Sequence, residues 1–157
     1  MFRYLMGVIF LVGSALAIAQ SDIATNDVQL LRAAGEASRQ ATMTANVEFD
    51  STQAEAFWPL YRDYRSQVSK LNDRTEALLK QFATEYGTLD DKQATKLVEE
   101  YLDIDADRVK LKKKYHKKFT KVLPGVKAAR VVQIENKLDD VIFAELSDAI
   151  PLVLSPQ

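Results

Sequence analysis

Residues 50–82 read DSTQAEAFWPLYRDYRSQVSKLNDRTEALLKQF, and this stretch decides the fold. Large apolar side chains recur in it at steps of three and four residues, with polar residues at most of the positions between. That spacing returns to one face of an α-helix and predicts a single long amphipathic helix. The stripe consists of Phe57, Tyr61, Tyr64, Val68, Leu71, Leu78 and Phe82. Asp50 is the predicted start and Gly87 the predicted end, while Pro59 predicts a kink or a lost turn inside the helix.

Two further helices are predicted downstream. The second covers about 91–122 and is stopped by Leu123-Pro124-Gly125, and the third covers Val126 to about Ala149. The stripe of the second helix is Ala94, Leu97, Tyr101, Ile104, Leu111, Tyr115 and Val122, with Val98 and Phe119 alongside, and that of the third is Val131, Ile134, Leu138, Val141, Ile142 and Leu146. Because the first two helices are joined by a short connection, they should form an antiparallel hairpin, with the third packed back along the second. The predicted fold is all-α: a long antiparallel helical hairpin plus a third helix, preceded by a short N-terminal helix.

Residues 1–19 have the layout of a secretory signal peptide. Arg3 makes the start positive, an uncharged apolar run follows, and Ala17-Ile18-Ala19 is a small-residue cleavage pattern. The alternative is an uncleaved membrane anchor, but the run is shorter than the roughly 20 residues that span a bilayer. We therefore expect cleavage before Gln20, export and a periplasmic location. The mature chain would then hold an N-terminal segment over 20–46, with a short helix at 27–40 and a linker at 41–46, a helical domain over 47–150 and a tail over 151–157.

The composition argues against several classes of function. The chain has 21 Lys and Arg against 22 Asp and Glu, so its net charge does not suggest nucleic-acid binding. The absence of cysteine excludes disulfides, thiolate metal sites and a cysteine nucleophile. His116 is the one histidine, and it lies among lysines that repel cations. We expect no catalytic residue, no metal and no cofactor. The acids Glu99, Asp103 and Asp107 at i,i+4 spacing could hold a divalent cation weakly, but a solvated helix face is the preferred explanation.

A motif is repeated where the two long helices start. Phe49-Asp50-x-x-Gln53 and Leu89-Asp90-x-x-Gln93 both place Asp at the N-cap and Gln three residues later, which predicts two capping boxes. The segment Leu123–Lys127 is a degraded third copy without a good cap and with Lys in place of Gln.

The motif resembles the apolar–Thr–x–x–Gln signature of the Spy/CpxP-like exported helical proteins, with Asp50 and Asp90 in place of the Thr. Four stretches are more similar to an uncharacterised group of exported bacterial proteins related to that family: Phe57-Trp58-Pro59-Leu60-Tyr61, Leu123–Arg130, Gln133–Lys137 and Ile150–Val153. The resemblance covers about residues 46–153. It implies a periplasmic, curved, all-helical module that is often a dimer and that acts as an ATP-independent chaperone, as a partner of an envelope stress sensor, or as a metal-responsive regulator.

The second helix is polarised by charge. Eight acids and two lysines lie between Glu85 and Asp107, and ten basic residues with no acid lie between Arg108 and Arg130. The helix dipole favours this arrangement only over the end turns, so it leaves most of the basic run unexplained. Three interpretations stay open: a face paired with acids of neighbouring helices, a client or partner surface, or contact with anionic lipid.

The leading functional prediction is a non-enzymatic periplasmic binding protein that is chaperone-like in envelope stress. The alternative is a regulatory partner of an envelope stress sensor. The expected partners are unfolded proteins or a sensor protein, with a possible homodimer, no nucleic acid and no membrane contact after cleavage. The candidate contact residues are Arg108, Lys112, Lys113, Tyr115, Lys117, Phe119, Lys121 and, if it is exposed beside Pro59 rather than in the core, Trp58.

Overall fold

The computed structural model describes residues 35–153, and these residues form helices and turns without any strand. Residues 35–47 are helical (α1), and three long helices follow: α2 at Ser51–Glu85, α3 at Asp91–Phe119 and α4 at Gly125–Ala149. The predicted all-α hairpin with a third helix is confirmed. The predicted signal peptide at 1–19 and the beginning of the predicted short helix lie outside the described residues.

The chain divides into two compact units, Met1–Thr42 and Met43–Gln157. The described part of the first unit, residues 35–42, is helical, and the second unit contains α2, α3 and α4. The predicted linker at 41–46 is wrong, because these residues are helical. Met43 and Val47 lie one helical turn apart and are both fully buried in the core of the second unit, so tertiary packing stabilises helix where local sequence gave no signal for it.

Both predicted capping boxes are present. The Asp50 carboxylate accepts from the Gln53 backbone N–H at 2.8 Å, and the Asp90 carboxylate accepts from the Gln93 N–H at 2.7 Å. In each case the Gln side chain accepts from the N–H of the cap residue. Two of the unpaired N–H groups at each helix start are thereby satisfied, which fixes both starts locally.

The degraded third copy starts α4 differently. Pro124 is the N-cap and makes no side-chain cap hydrogen bond. Lys127, which replaces the Gln, instead donates to the Glu48 carbonyl at 2.5 Å and to Gln53 Oε1 at 2.8 Å. The start of α4 is therefore tied to the start of α2. α2 is continuous through Pro59, so no helical turn is lost there.

The core is concentrated where the start of α2, the end of α3 and the start of α4 meet. We call this region the aromatic end. Phe57 is fully buried at its centre, with ring centroids at 4.6 Å to Phe49, 5.1 Å to Trp58, 5.3 Å to Tyr61 and 5.2 Å to Phe119. The buried members of the core are Met43, Val47, Phe57, Tyr61, Tyr64, Val68, Tyr115, Phe119, Leu123, Ala128, Val131 and Ile134.

The opposite end, formed by the end of α2, the start of α3 and the end of α4, is packed much less completely. We call it the open end. Leu97 is buried there, but Val98 and Tyr101, predicted on or beside the inner stripe of α3, are about half exposed. Val141 and Ile142, predicted on the inner stripe of α4, are 60% and 46% exposed. These assignments were wrong because an amphipathic stripe marks a face able to be buried, and nothing in residues 35–153 covers this one.

Candidate functional site

The basic segment that the sequence analysis singled out begins with a residue that holds helices together. Arg108 donates to Asn72 Oδ1 and to Thr75 Oγ1, both at 2.9 Å, and its guanidinium lies 5.4 Å from the centre of the Phe143 ring. Desolvation by burial lowers the pKa of Arg108 below its ordinary value, although nearby acids oppose the shift. Arg108 therefore links α3 to α2 and α4, and its charge is not free to meet a partner.

Two lysines of the segment are also engaged with neighbouring helices. Lys112 donates to Asn136 Oδ1 at 2.8 Å and pairs with Asp139 at 3.1 Å. Lys118 lies 3.4 Å from the Asp63 carboxylate and 4.3 Å from the centre of the Tyr115 ring. This part of the basic run matches the first of the three interpretations, a face paired with acids of other helices.

The aromatic residues predicted as contacts are core residues. Tyr115 and Phe119 are each only 2% exposed, so their assignment as client contacts was wrong. The Tyr115 hydroxyl donates to Asp63 Oδ2 at 2.5 Å, and this bond is the main cause of the lowered pKa of Asp63. Burial, helped by that carboxylate, raises the pKa of Tyr115 to about 12. Trp58 is half-buried against the core, so it is not the exposed contact residue beside Pro59 that its candidacy required.

Three members of the predicted contact set remain accessible. The side chains of Lys113, Lys117 and Lys121 are exposed and make no hydrogen bond or ion pair with other side chains of the described residues. Their face lacks the two aromatic residues predicted for it, because Tyr115 and Phe119 are buried in the core. The large exposed apolar residue next to it on α3 is Val109, one helical turn before Lys113.

A buried ion pair connects α2 to α4. Arg65 Nη1 lies 3.0 Å from Glu135 Oε2, and the Tyr61 hydroxyl donates to the other oxygen of Glu135 at 2.5 Å. The Glu135 side chain is 3% exposed and that of Arg65 9%. The sequence analysis missed this pair, although Glu135 lies four residues after Val131 and three before Leu138 and so falls on the inner face of α4.

The open end carries a second stripe on α3 that the sequence analysis also missed. Val98, Leu102 and Val109 are 53%, 57% and 51% exposed, and with Asp105 they follow steps of four, three and four residues. This stripe lies beside the buried one, and Tyr101 lies between the two. The signal was visible in the spacing, but a stripe that is apolar and exposed cannot be distinguished from one that is apolar and buried without the fold.

The end of α4 and the residues after it also expose apolar side chains. The contacts Lys112–Asp139 and Arg108–Phe143 fix the same antiparallel register of α3 and α4. Extended along both helices, that register puts Ile142 level with Val109 and Ile150 level with Tyr101. The Tyr86 hydroxyl donates to the Leu152 carbonyl at 3.0 Å, which holds the residues after α4 near the turn between α2 and α3. We call this set the open-end surface: Val98, Tyr101, Leu102, Val109, Val141, Ile142, Phe143, Ile150, Leu152 and Val153.

Acids predominate around most of the open-end surface, and the basic run begins at its Val109 end with Arg108, Lys110 and Lys113. Residues 97–107 contain five acids and residues 138–153 contain four, and neither stretch contains a basic residue. Arg74 pairs with two of these acids, Glu100 and Asp107, at 2.8 Å each. The exposed acids without a hydrogen bond or ion pair to the described residues are Glu99, Asp103, Asp140 and Asp148. Asp105 raises the pKa of its neighbour Tyr101, chiefly through its charge.

Residues 35–153 contain neither a candidate metal site nor a membrane-spanning helix. No group of three or more His, Cys, Asp or Glu side chains there has the arrangement to hold a metal ion. No helix in the same range has the length and hydropathy needed to cross a bilayer. His116 is partly buried rather than fully solvated, and its Nδ1 finds no hydrogen-bond partner among the described residues.

Comparison with known proteins gives no relative: no family model, no curated protein and no solved structure matches this chain. The resemblance to the Spy/CpxP-like family therefore rests on the helix-start motifs and the stretches quoted above.

Proposed function

We propose that this is a non-enzymatic, chaperone-like binding protein of the periplasm that holds apolar segments of other proteins without ATP. The observation that supports the proposal is the open-end surface, where large apolar side chains on two helices stand in water. Contiguous exposed apolar surface is uncommon on a soluble monomer and marks an interaction site. Each apolar contact that a client makes there is favourable by about 25 cal/mol per Å² removed from water.

The division of the molecule into two ends suits such a role. The aromatic end supplies the packed core and the buried Arg65–Glu135 pair, so the fold does not depend on covering the open end. A client can therefore bind and leave the open end while the scaffold stays intact. Export of the protein, which the sequence of residues 1–19 predicts, would bring this surface to clients in the envelope.

The proposal is tested by light scattering of unrelated aggregating proteins, without ATP, in the presence of the purified protein. We expect suppression at equimolar ratio, and we expect Leu102→Gln to weaken it because an exposed apolar contact is lost. Val126→Gln is the matched control, since Val126 is 75% exposed but lies at the aromatic end. Suppression that is absent for every client would refute the chaperone role. Binding of a single envelope protein in its place would support the regulatory alternative.

A further inference from the structure

We infer that the open-end surface selects a polypeptide segment of a particular chemistry, a basic amphipathic helix. The inference rests on the proposed function in one respect, namely that the open-end surface is the binding surface. It goes beyond that function by naming the class of segment that the surface takes. Shape and charge support it separately.

The shape of the surface matches a helix laid along α3. Val98, Leu102, Asp105 and Val109 repeat at steps of four, three and four residues, which is the spacing of a helix–helix seam. From Val98 to Val109 the stripe is about 17 Å long at 1.5 Å per residue. A partner helix of about three turns would cover it, and Ile142 and Phe143 would flank the same helix from α4.

The charge of the surface selects a basic partner. The nine acids of residues 97–107 and 138–153, with no basic residue in either stretch, repel an acidic segment and attract a basic one. Glu99 and Asp103 on α3, with Asp140 and Asp148 on α4, are exposed without a described partner and are available to pair with its lysines or arginines.

Asp105 places a further negative charge within the apolar stripe itself. It occupies one position of the apolar stripe, where its charge raises the pKa of Tyr101 and opposes the lowering of the pKa of Arg108. A partner that covers the stripe removes this carboxylate from water, which is unfavourable unless a positive charge of the partner lies close to it. A lysine or arginine at the edge of the bound helix's apolar face would provide that charge.

Two other occupants fit less well. A second copy offers exposed Lys113, Lys117 and Lys121, but the large apolar residues of that region, Tyr115 and Phe119, are buried and cannot enter the stripe. The chain's own undescribed segments do not supply the charge either. Residues 1–34 contain two basic residues and two acids, and residues 154–157 contain none of either.

The test uses two fluorescein-labelled peptides of about 18 residues, a length that exceeds the roughly 17 Å stripe when helical. Both carry Leu at i, i+3, i+4 and i+7 spacing, and one has Lys and the other Glu at the remaining positions. Fluorescence anisotropy with the purified protein should show the Leu/Lys peptide binding at least about tenfold more tightly, a preference that weakens with salt. Leu102→Gln and Asp105→Asn should each weaken that binding several-fold, and Val126→Gln should leave it unchanged. Circular dichroism checks that all three variants stay folded.

Each remaining outcome decides against the inference or against the proposed function. Equal affinity for the two peptides would refute selection by charge. Unchanged affinity in both Leu102→Gln and Asp105→Asn would refute the location. Sedimentation showing a dimer that Leu102→Gln dissociates would assign the surface to a second copy. Suppression of aggregation without peptide preference would refute this inference and leave the proposed function standing, while the reverse result would refute the chaperone role alone.

Discussion

The aromatic end is predicted to hold the whole fold together, and Phe57 is the residue that tests this best. Its side chain is fully buried, and four aromatic rings lie within 5.3 Å of its ring centre. Replacing a buried Phe by Ala costs about 3–5 kcal/mol, because transfer free energy is lost and a cavity remains. Small domains have a total free energy of unfolding of about 5–15 kcal/mol, so Phe57→Ala should remove a large part of it.

The assay is urea unfolding, followed by far-ultraviolet circular dichroism and by fluorescence. Trp58 is the only tryptophan and lies 5.1 Å from Phe57, so its emission reports on the aromatic end directly. With an m-value of about 1.5 kcal/mol per M urea, a loss of 3–5 kcal/mol lowers the unfolding midpoint by about 2–3 M. Both probes should report the same shift if the second unit unfolds in one step.

The matched control is the same substitution at the open end. Phe143 is 38% exposed on α4, and Ala has the higher helix propensity, so Phe143→Ala should cost about 1 kcal/mol or less. The reasoning is refuted if Phe57→Ala costs less than about 1 kcal/mol, or if the two substitutions cost the same, since either result would mean that the fold is not held mainly at the aromatic end.

Four further predictions follow from single features. Asp90→Ala should lower the free energy of unfolding, measured with heat or urea, by about 1 kcal/mol because it removes the cap of α3. A decrease below about 0.3 kcal/mol would contradict the stabilising role of the capping box. The raised pKa of Tyr115, about 12, favours the neutral hydroxyl in the folded state, so the contribution of this group to the free energy of unfolding is fully present below pH 10 and is lost as the pH rises toward 12. Tyr115→Phe should abolish this loss of stability at alkaline pH, and an unchanged dependence of the free energy of unfolding on pH in the variant would contradict the prediction. Intact-mass measurement of exported protein should give a chain that starts at Gln20, whereas full-length protein in the membrane fraction would show that the leader is retained. Calorimetry should detect no stoichiometric zinc binding, since the chain has no cysteine and one histidine; a submicromolar site would revive the metal-responsive alternative.

The sequence alone was enough to predict the features that depend on residues close together along the chain. The starts of α2 and α3 were predictable because Asp and Gln three residues apart satisfy the first N–H groups of a helix wherever it lies. The break between α3 and α4 was predictable because Pro124 and Gly125 interrupt a helix by their own backbone chemistry. The all-α hairpin followed from these boundaries and from the lengths of the stripes.

Only the tertiary structure decided how each face is used, because that depends on partners far away in sequence. Arg108 and Lys112 belong to the basic run that looked like a contact surface, yet they bind side chains 24–36 positions away on α2 and α4. Two neighbouring apolar stripes on α3 look equivalent in the sequence, and packing against α2 buries the one with Leu97 and Ile104 while the one with Val98 and Leu102 stays in water. Periodicity records which side chains share a face, but burial is a property of two surfaces, and the second surface is set by the fold.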